Sequence, residues 1–327
     1  MTPPKYFIDH WADRHFHRKS DHPDPAWDLT YPAYYHSSLM HSCYYMLFAR
    51  RNEPNLVDEA SFFLYNMREV IKMKIHFLGT CAGTEPMPGR HHTSFMVECA
   101  GKLYCFDAGE GCSHTAHNMG LDLLKVRKIV ISHPHMDHVG GLGNLLWTIR
   151  KLMWVKKLDT LADVDVYIPN LTVWNSLLGM LAYTEGSFKL KFKLTAHRTE
   201  EGVLFDDGDL RVTAIPNTHM KPIDDQPQSY SFLIEGDGQK LIYSGDVKSY
   251  SELDPFVVPG CDGLIIETGH FVIDDVYAYT QDKNIGKIFF NHNGREILYD
   301  TPGCEEKVRH LFGDKAVIAY DTMTAVL

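Results

Sequence analysis

The residues best suited to chemistry lie in one short stretch, residues 132–138, which reads Ser-His-Pro-His-Met-Asp-His. Three imidazoles and one carboxylate follow an apolar run directly and precede a pair of glycines. Imidazole and carboxylate bind zinc and similar divalent ions, and alternate residues of a tight loop can face two neighbouring ions. The pattern predicts a metal site at the end of a strand. The alternative is a His-rich surface loop whose side chains make unrelated hydrogen bonds.

Three further ligand-type side chains, His219, Asp246 and His292, each follow an apolar run typical of a strand. A single histidine after a strand is more often a hydrogen-bonded surface or core residue than a ligand. Because all three come in order after the His-rich stretch, we interpret them as parts of one site.

Short strands with helical patterns between them must position these residues. Strands are predicted at Lys74–Leu78, Ser94–Cys99, Lys102–Asp107, Lys128–Ser132, Asp165–Ile168, Leu210–Ile215, Ser229–Glu235, Gln239–Ser244, Gly263–Glu267 and Lys287–Asn291. The main helical pattern is Leu142–Trp154. This interleaving predicts an α/β layered protein with sheets in the middle and helices outside.

The sequence before residue 73 has a different texture. Residues 1–72 are rich in His, Tyr and Pro and then show helical patterns, which predicts a mostly helical N-terminal extension before a main domain at residues 73–327. The apolar face predicted between residues 56 and 70 either covers the main domain or pairs with a second subunit. The histidines of this extension are irregularly spaced, so we interpret them as a solvated or interface feature.

Several motifs of residues 73–327 resemble the metallo-β-lactamase superfamily, and most closely its ribonuclease Z-like branch. They are residues 74–80 (KIHFLGT), residues 106–111 (FDAGEG), the His-rich stretch, the three strand-end ligands and residues 319–323 (AYDTM). The resemblance implies an α/β four-layer αββα sandwich with two divalent metal ions at one edge of the paired sheets. Zinc is the expected metal, and manganese and iron also suit these ligands.

The resemblance also implies a role for each ligand. One metal would be held by His133, His135 and His219, the other by Asp137, His138 and His292, and Asp246 would bridge the two. Asp107 would orient one ligand, or it is a turn residue that caps the glycines after it.

Hydrolysis at such a site uses a hydroxide held between the metals, so no protein nucleophile is needed. We predict that Asp137, Glu267 and His270 take part in catalysis. Ribonuclease Z-like proteins carry His-Glu-Ala-Thr where residues 266–269 of this chain read Ile-Glu-Thr-Gly. The motif histidine is therefore missing. We expect His270 either to replace it as general acid or to be a partly buried structural histidine.

The loop after the first strand carries His91 and His92, and the resemblance places it at the rim of the site. Either imidazole can contact a phosphate or carboxylate of the substrate. The alternative is an exposed polar loop with no role in binding.

The net charge of −10 opposes non-specific binding to long nucleic acids. Many ribonuclease Z enzymes grip transfer RNA with an arm between the equivalents of His219 and Asp246, and only 26 residues lie between these positions here. We therefore predict a metal-dependent hydrolase of a small phosphodiester or similar ester. RNA 3′-end processing is the alternative within phosphoester chemistry, and carbonyl substrates are also compatible with the metals. An alternative of another class is a catalytically silent metal-binding or interaction protein.

The cellular location is predicted from cysteine usage and hydropathy. The seven cysteines are odd in number and lack C-x-x-C spacing, which favours a reduced, cytoplasmic location. No apolar stretch predicts secretion or membrane spanning. We expect a homodimer, on the basis of the resemblance and of the apolar face in the extension.

Overall fold

Residues 73–184 and 188–327 are described by the computed structural model, and they form two β-sheets with helices on the outer faces. The predicted N-terminal helices and their histidines lie outside these residues, so the division at residue 73 stays a prediction. None of the described helices is long and apolar enough to cross a membrane.

Fourteen strands are present in the described residues. They are β1 Lys74–Gly79, β2 Ser94–Cys99, β3 Lys102–Phe106, β4 Val126–Val130, β5 Val164–Ile168, β6 Leu194–Arg198, β7 Gly202–Asp206, β8 Leu210–Pro216, β9 Tyr230–Gly236, β10 Gln239–Tyr243, β11 Cys261–Thr268, β12 Ile285–Asn293, β13 Ala316–Ile318 and β14 Thr324–Val326. The α-helices are α1 Cys112–Asn118, α2 Met136–Val139, α3 Leu142–Val155, α4 Leu171–Thr184, α5 Asp254–Val257, α6 Ile273–Thr280, α7 Arg295–Tyr299 and α8 Thr301–Phe312.

The strands divide into two sheets of seven. The first has the order β14-β1-β2-β3-β4-β5-β6, and the second has the order β13-β12-β11-β10-β9-β8-β7. Neighbours from β3 to β6 are parallel, as are neighbours from β10 to β13. The carboxyl ends of parallel neighbours meet at one edge of a sheet, which brings the loops after these strands together.

Three apolar cores separate four layers. One core between the first sheet and its helices includes Leu142, Leu145 and Ile149 of α3, whose three- and four-residue spacing gives the helix one apolar face. A second, aromatic-rich core lies between the sheets, and a third lies between the second sheet and helices α5 to α8. The predicted αββα sandwich is therefore confirmed.

Most of the predicted strands are present with shifted ends, and four strands were not predicted. The strand predicted at Lys128–Ser132 begins earlier, at Val126, and ends at Val130, because Ser132 donates its backbone N–H to a carboxylate of Asp107 instead of a neighbouring strand. The strands β6, β7, β13 and β14 were missed. All four are short. The strands β6, β7 and β14 are largely half-exposed or exposed, so their apolar patterns are weak, and β13 has only three residues.

Candidate metal centre

All seven side chains singled out as ligands lie together at one edge of the two sheets. The loop after β4 and the first turn of α2 supply His133, His135, Asp137 and His138. The second sheet supplies His219 from the loop after β8, Asp246 after β10, and His292 near the end of β12. Both sheets therefore contribute to the site.

The first ligand-type group consists of three histidines. The Nδ1 atom of His135 lies 3.0 Å from Nε2 of His133 and 3.3 Å from Nε2 of His219. His133 is fully buried, and its Nδ1 atom lies 3.1 Å from the hydroxyl of Ser132. The three imidazoles thus turn one nitrogen each towards a common point.

The second group joins a carboxylate to two imidazoles. Oδ2 of Asp137 lies 3.3 Å from Nε2 of His138 and 3.1 Å from Nε2 of His292. His292 has a φ of 48°, in the left-handed region. This uncommon backbone conformation is compatible with a constraint imposed by the site.

Asp246 lies between the two groups and is almost fully buried. Its Oδ2 atom is 3.7 Å from Nε2 of both His133 and His219. On the other side, Oδ1 is 3.4 Å from Nε2 of His138, and Oδ2 is 3.3 Å from Nε2 of His292. One carboxylate is therefore within reach of every metal position that the groups can form.

Two tests indicate that these residues fit metal ions. Two ligand atoms that each lie ~2.0–2.2 Å from one tetrahedral zinc ion are roughly 3.3–3.6 Å apart, close to the separations seen here. In addition, Nε2 of His138 and Oδ1 of Asp246 are buried without a hydrogen-bond partner among the described residues. Burying unpaired polar atoms is costly, and a bound ion would satisfy both.

Asp107 holds one of these imidazoles. Its Oδ2 atom lies 2.7 Å from Nδ1 of His138, and it accepts hydrogen bonds from the hydroxyls of Ser132 and Tyr243 at 2.7 and 2.5 Å. These contacts are the ones expected of a residue that orients a ligand, and that role for Asp107 stays a prediction. The role of Tyr243 was not predicted, because the contact between the end of β10 and Asp107 after β3 forms only in the folded chain.

Glu267 and His270 form a second polar pair at the site. Oε2 of Glu267 lies 2.8 Å from Nδ1 of His270 and 3.5 Å from Nδ1 of His292, and Oε1 accepts the backbone N–H of Val247. The ring of His270 packs 5.0 Å from that of His219 and 5.6 Å from that of His292. His270 thus lies beside both ligand groups, and the pair also forms a potential ligand set with Asp246 and His292.

The electrostatics of the metal-free cluster follow from burial and close carboxylates. Burial lowers the pKa of His133 well below its ordinary value. Burial also acts against a charged His138, but the carboxylates of Asp246 and Asp107 outweigh it and raise the pKa well above the ordinary value. For His292, Asp246 likewise outweighs burial and raises the pKa to about 10. Protons and metal ions therefore compete for the same nitrogen atoms.

The loop after β1 packs against Asp137 at Gly83. A Cβ atom added to Gly83 would lie 2.9 Å from Oδ2 and 3.0 Å from Cγ of Asp137. Such short contacts force one group to move. The absence of a side chain at residue 83 therefore helps to position the carboxylate.

Replacing Gly83 by alanine is expected to weaken metal binding by Asp137, His138 and His292 about tenfold. The added methyl group would displace the carboxylate of Asp137. Calorimetric titration of metal-free protein with zinc measures this affinity. The matched control is Gly179→Ala, where the added Cβ has no heavy atom within 4 Å. Equal affinities in the two variants would contradict this role for Gly83.

His91 and His92 are held by carboxylates. Nδ1 of His91 lies 2.9 Å from Oδ2 of Asp321, and Nδ1 of His92 lies 3.0 Å from Oε2 of Glu110. Nε2 of His92 also lies 3.2 Å from the carbonyl oxygen of Thr84. These contacts order the loop, and a role in substrate binding stays a prediction.

Comparisons with known proteins agree with this geometry. A family model described as anti-Pycsar protein Apyc1 matches residues 73–262. A ribonuclease Z of Synechococcus sp. (strain CC9311) is 33% identical over 162 residues, which cover 46% of this chain and 47% of that relative. The match thus spans about half the length of the relative.

Two solved structures are similar over most of the chain. The short form of human tRNase Z is 20% identical with a TM-score of 0.58, and the match covers 77% of this chain and 98% of that one. A metallo-β-lactamase fold protein of Bacillus subtilis is 15% identical with a TM-score of 0.57, covering 78% and 98%. These likenesses show the fold. The predicted relation to ribonuclease Z-like proteins of the metallo-β-lactamase superfamily is confirmed.

Proposed function

Because the chain belongs to the family of the anti-Pycsar protein Apyc1, we propose that it is a metal-dependent hydrolase of small phosphodiesters. The observation that carries the proposal is the convergence of two ligand groups on one shared carboxylate, Asp246. A relative that matches over about half of its length is named ribonuclease Z. Ribonucleases cleave phosphodiester bonds, so this name supports the proposed class of substrate.

The proposed site holds two divalent ions. The first ion is assigned to His133, His135 and His219, the second to Asp137, His138 and His292, and Asp246 to both. Zinc suits this set of nitrogen and oxygen donors, and manganese and iron are compatible with it. When bound, such ions supply Lewis acidity towards water and towards the phosphoryl oxygens.

His270 is assigned the role of general acid. Glu267 engages its Nδ1 atom, so Nε2 is left to deliver a proton to the leaving oxygen of the ester. Glu267 is itself fixed by the backbone N–H of Val247, so it acts as a positioning residue. Asp137 contributes through the second ion and is assigned no proton transfer.

RNA 3′-end processing is the second candidate, and the name of the ribonuclease Z relative is what favours it. The acidic charge and the chain between His219 and Asp246 oppose it. That segment contains the β9–β10 hairpin of the second sheet, and β9 begins at Tyr230, which leaves a short loop before it. Incubation with precursor transfer RNA separates the two candidates, since endonucleolytic cleavage would favour the second.

The proposal is tested first by metal content and turnover in one sample. Full-length protein purified without added metal is expected to contain two ions per chain by elemental analysis. It is expected to hydrolyse bis-(p-nitrophenyl) phosphate or cyclic nucleotides, to lose activity with a chelator, and to recover it with zinc or manganese. Two ions without phosphodiester turnover would contradict the substrate class. Fewer than two after saturation with zinc would contradict the two-metal assignment.

A further inference from the structure

A cavity of about 210 Å³ opens at the sheet edge that carries the metal centre. Its walls include Asn170 and Leu171 after β5, Arg198 at the end of β6, and Ile223, Asp224 and Gln228 from the loop between β8 and β9. The strands β4, β5 and β6 are parallel neighbours, and the loop after β4 carries His133 and His135. We call this space the Arg198 cavity.

The loop that forms one wall of the Arg198 cavity also carries the ligand His219. Gln228 precedes Ser229, whose hydroxyl accepts the backbone N–H of Met220 and donates to the carbonyl oxygen of Asn217, both at 3.1 Å. These bonds clamp the chain on either side of His219. The cavity wall and the ligand-type residue His219 therefore belong to one ordered loop.

Arg198 gives the cavity an unused set of hydrogen-bond donors. The side chain is partly buried, and it has no hydrogen bond or ion pair with any residue in the part of the chain that the structure describes. A guanidinium group offers five N–H donors and accepts none. Its natural complement is an oxygen acceptor on a ligand.

Two amide side chains add donors of the same kind. Oε1 of Gln228 accepts from Nδ2 of Asn170 at 3.0 Å, and Oδ1 of Asn170 accepts the backbone N–H of Thr172 at 2.9 Å. Nε2 of Gln228 donates to the carbonyl oxygen of Gln226 at 2.9 Å. Each amide nitrogen carries a second N–H beyond the one used in these bonds, so donor capacity is left over, as is one lone pair on each amide oxygen.

The remaining walls narrow the chemical class of the ligand. Leu171 and Ile223 are 39% and 50% exposed and offer apolar surface. The carboxylate of Asp224 lines the same cavity and disfavours an anion. Donors, apolar walls and one carboxylate together suit an uncharged organic group that carries carbonyl oxygens.

We propose that the Arg198 cavity binds the part of the substrate that lies beyond the scissile phosphodiester, and that this part is an uncharged polar group whose carbonyl oxygens pair with Arg198. This inference rests on the proposed function, because it assigns a second subsite to the same active centre.

The test compares two substrates with the same leaving group in the zinc-loaded, full-length enzyme. Thymidine 5′-(p-nitrophenyl phosphate) carries a group with carbonyl oxygens, and bis-(p-nitrophenyl) phosphate carries an aryl group instead. In Arg198→Ala, the ratio of kcat/KM for the thymidine ester to that for the aryl ester is expected to fall about tenfold, as for the loss of a charged hydrogen bond. The matched control Arg211→Ala alters an exposed arginine on β8 and is expected to keep the wild-type ratio.

A second variant tests the inference in case Arg198→Ala does not fold. Ile223→Trp places a larger side chain in the cavity wall and so narrows the cavity. It is expected to lower the same kcat/KM ratio. An unchanged ratio in both folded variants would overturn the inference while leaving the proposed function standing. If the wild type hydrolyses neither these esters nor a cyclic nucleotide, the proposed function fails, and calorimetric binding of thymidine to the full-length protein decides only whether the cavity binds such a group. Binding that Arg198→Ala weakens about tenfold supports the subsite, and no binding overturns it.

Discussion

Asp246→Asn is expected to lower the metal content of the protein below two ions per chain and to reduce phosphodiester turnover on the order of 10³-fold. The substitution keeps the shape of the side chain and removes its negative charge. Oxygen atoms of Asp246 lie 3.3–3.7 Å from Nε2 of His133, His138, His219 and His292, so its charge is shared by both ligand groups. Elemental analysis after zinc saturation and hydrolysis of bis-(p-nitrophenyl) phosphate measure the two effects.

The matched control for this variant is Asp159→Asn. Asp159 is an exposed carboxylate that pairs with Lys191 at 3.2 Å, and it is not among the ligand-type residues of the metal centre. It is expected to keep both metal ions and full turnover. If Asp246→Asn also keeps two ions and wild-type turnover, then Asp246 does not bridge the metals.

His270→Ala is expected to reduce hydrolysis of a phosphodiester with an alkyl leaving group on the order of 10²-fold, and to leave p-nitrophenyl ester hydrolysis nearly unchanged. An alkoxide needs a proton as it departs, whereas p-nitrophenolate is stable without one. His270 is expected to donate this proton because its ring lies beside His219 and His292. Glu267 engages its Nδ1 atom, which leaves Nε2 for the leaving group.

Metal content separates this role from simple coordination, because His270 also lies within a potential ligand set with Asp246, Glu267 and His292. The variant is expected to keep two ions per chain. The matched control is His310→Ala, an exposed histidine of α8. Equal losses on both substrates, or a lost metal ion, would rule out the general acid and indicate a structural or ligand role.

The ligand types and their order along the chain were predictable because they depend on local sequence. Residues 132–138 place three imidazoles and a carboxylate in one loop, and side-chain chemistry alone restricts such a group to metals or to hydrogen bonds. The main strands and α3 were predictable for a similar reason. Their apolar residues repeat at the period of the element, and buried faces make that repeat strong.

Weak or distant signals account for what sequence did not predict. The strands β6, which is half-exposed, and β14, which is mostly exposed, lie at the edges of the first sheet, so they lack a strong apolar pattern. The contact of Tyr243 with Asp107 joins residues 136 positions apart, and Gly83 lies against Asp137 across the site. No local pattern encodes such pairs.

The sequence by itself determined which side chains can bind metal, the α/β character of the domain and the acidic charge that disfavours long nucleic acids. Only the tertiary structure decided that His219, Asp246 and His292 of the second sheet meet the His-rich loop of the first. It also decided that Arg198 lines a cavity together with residues of the loop that carries His219. The physical reason is that side-chain chemistry and periodicity are local properties. The meeting of two sheet edges depends instead on strand order and on the packing of the core between the sheets.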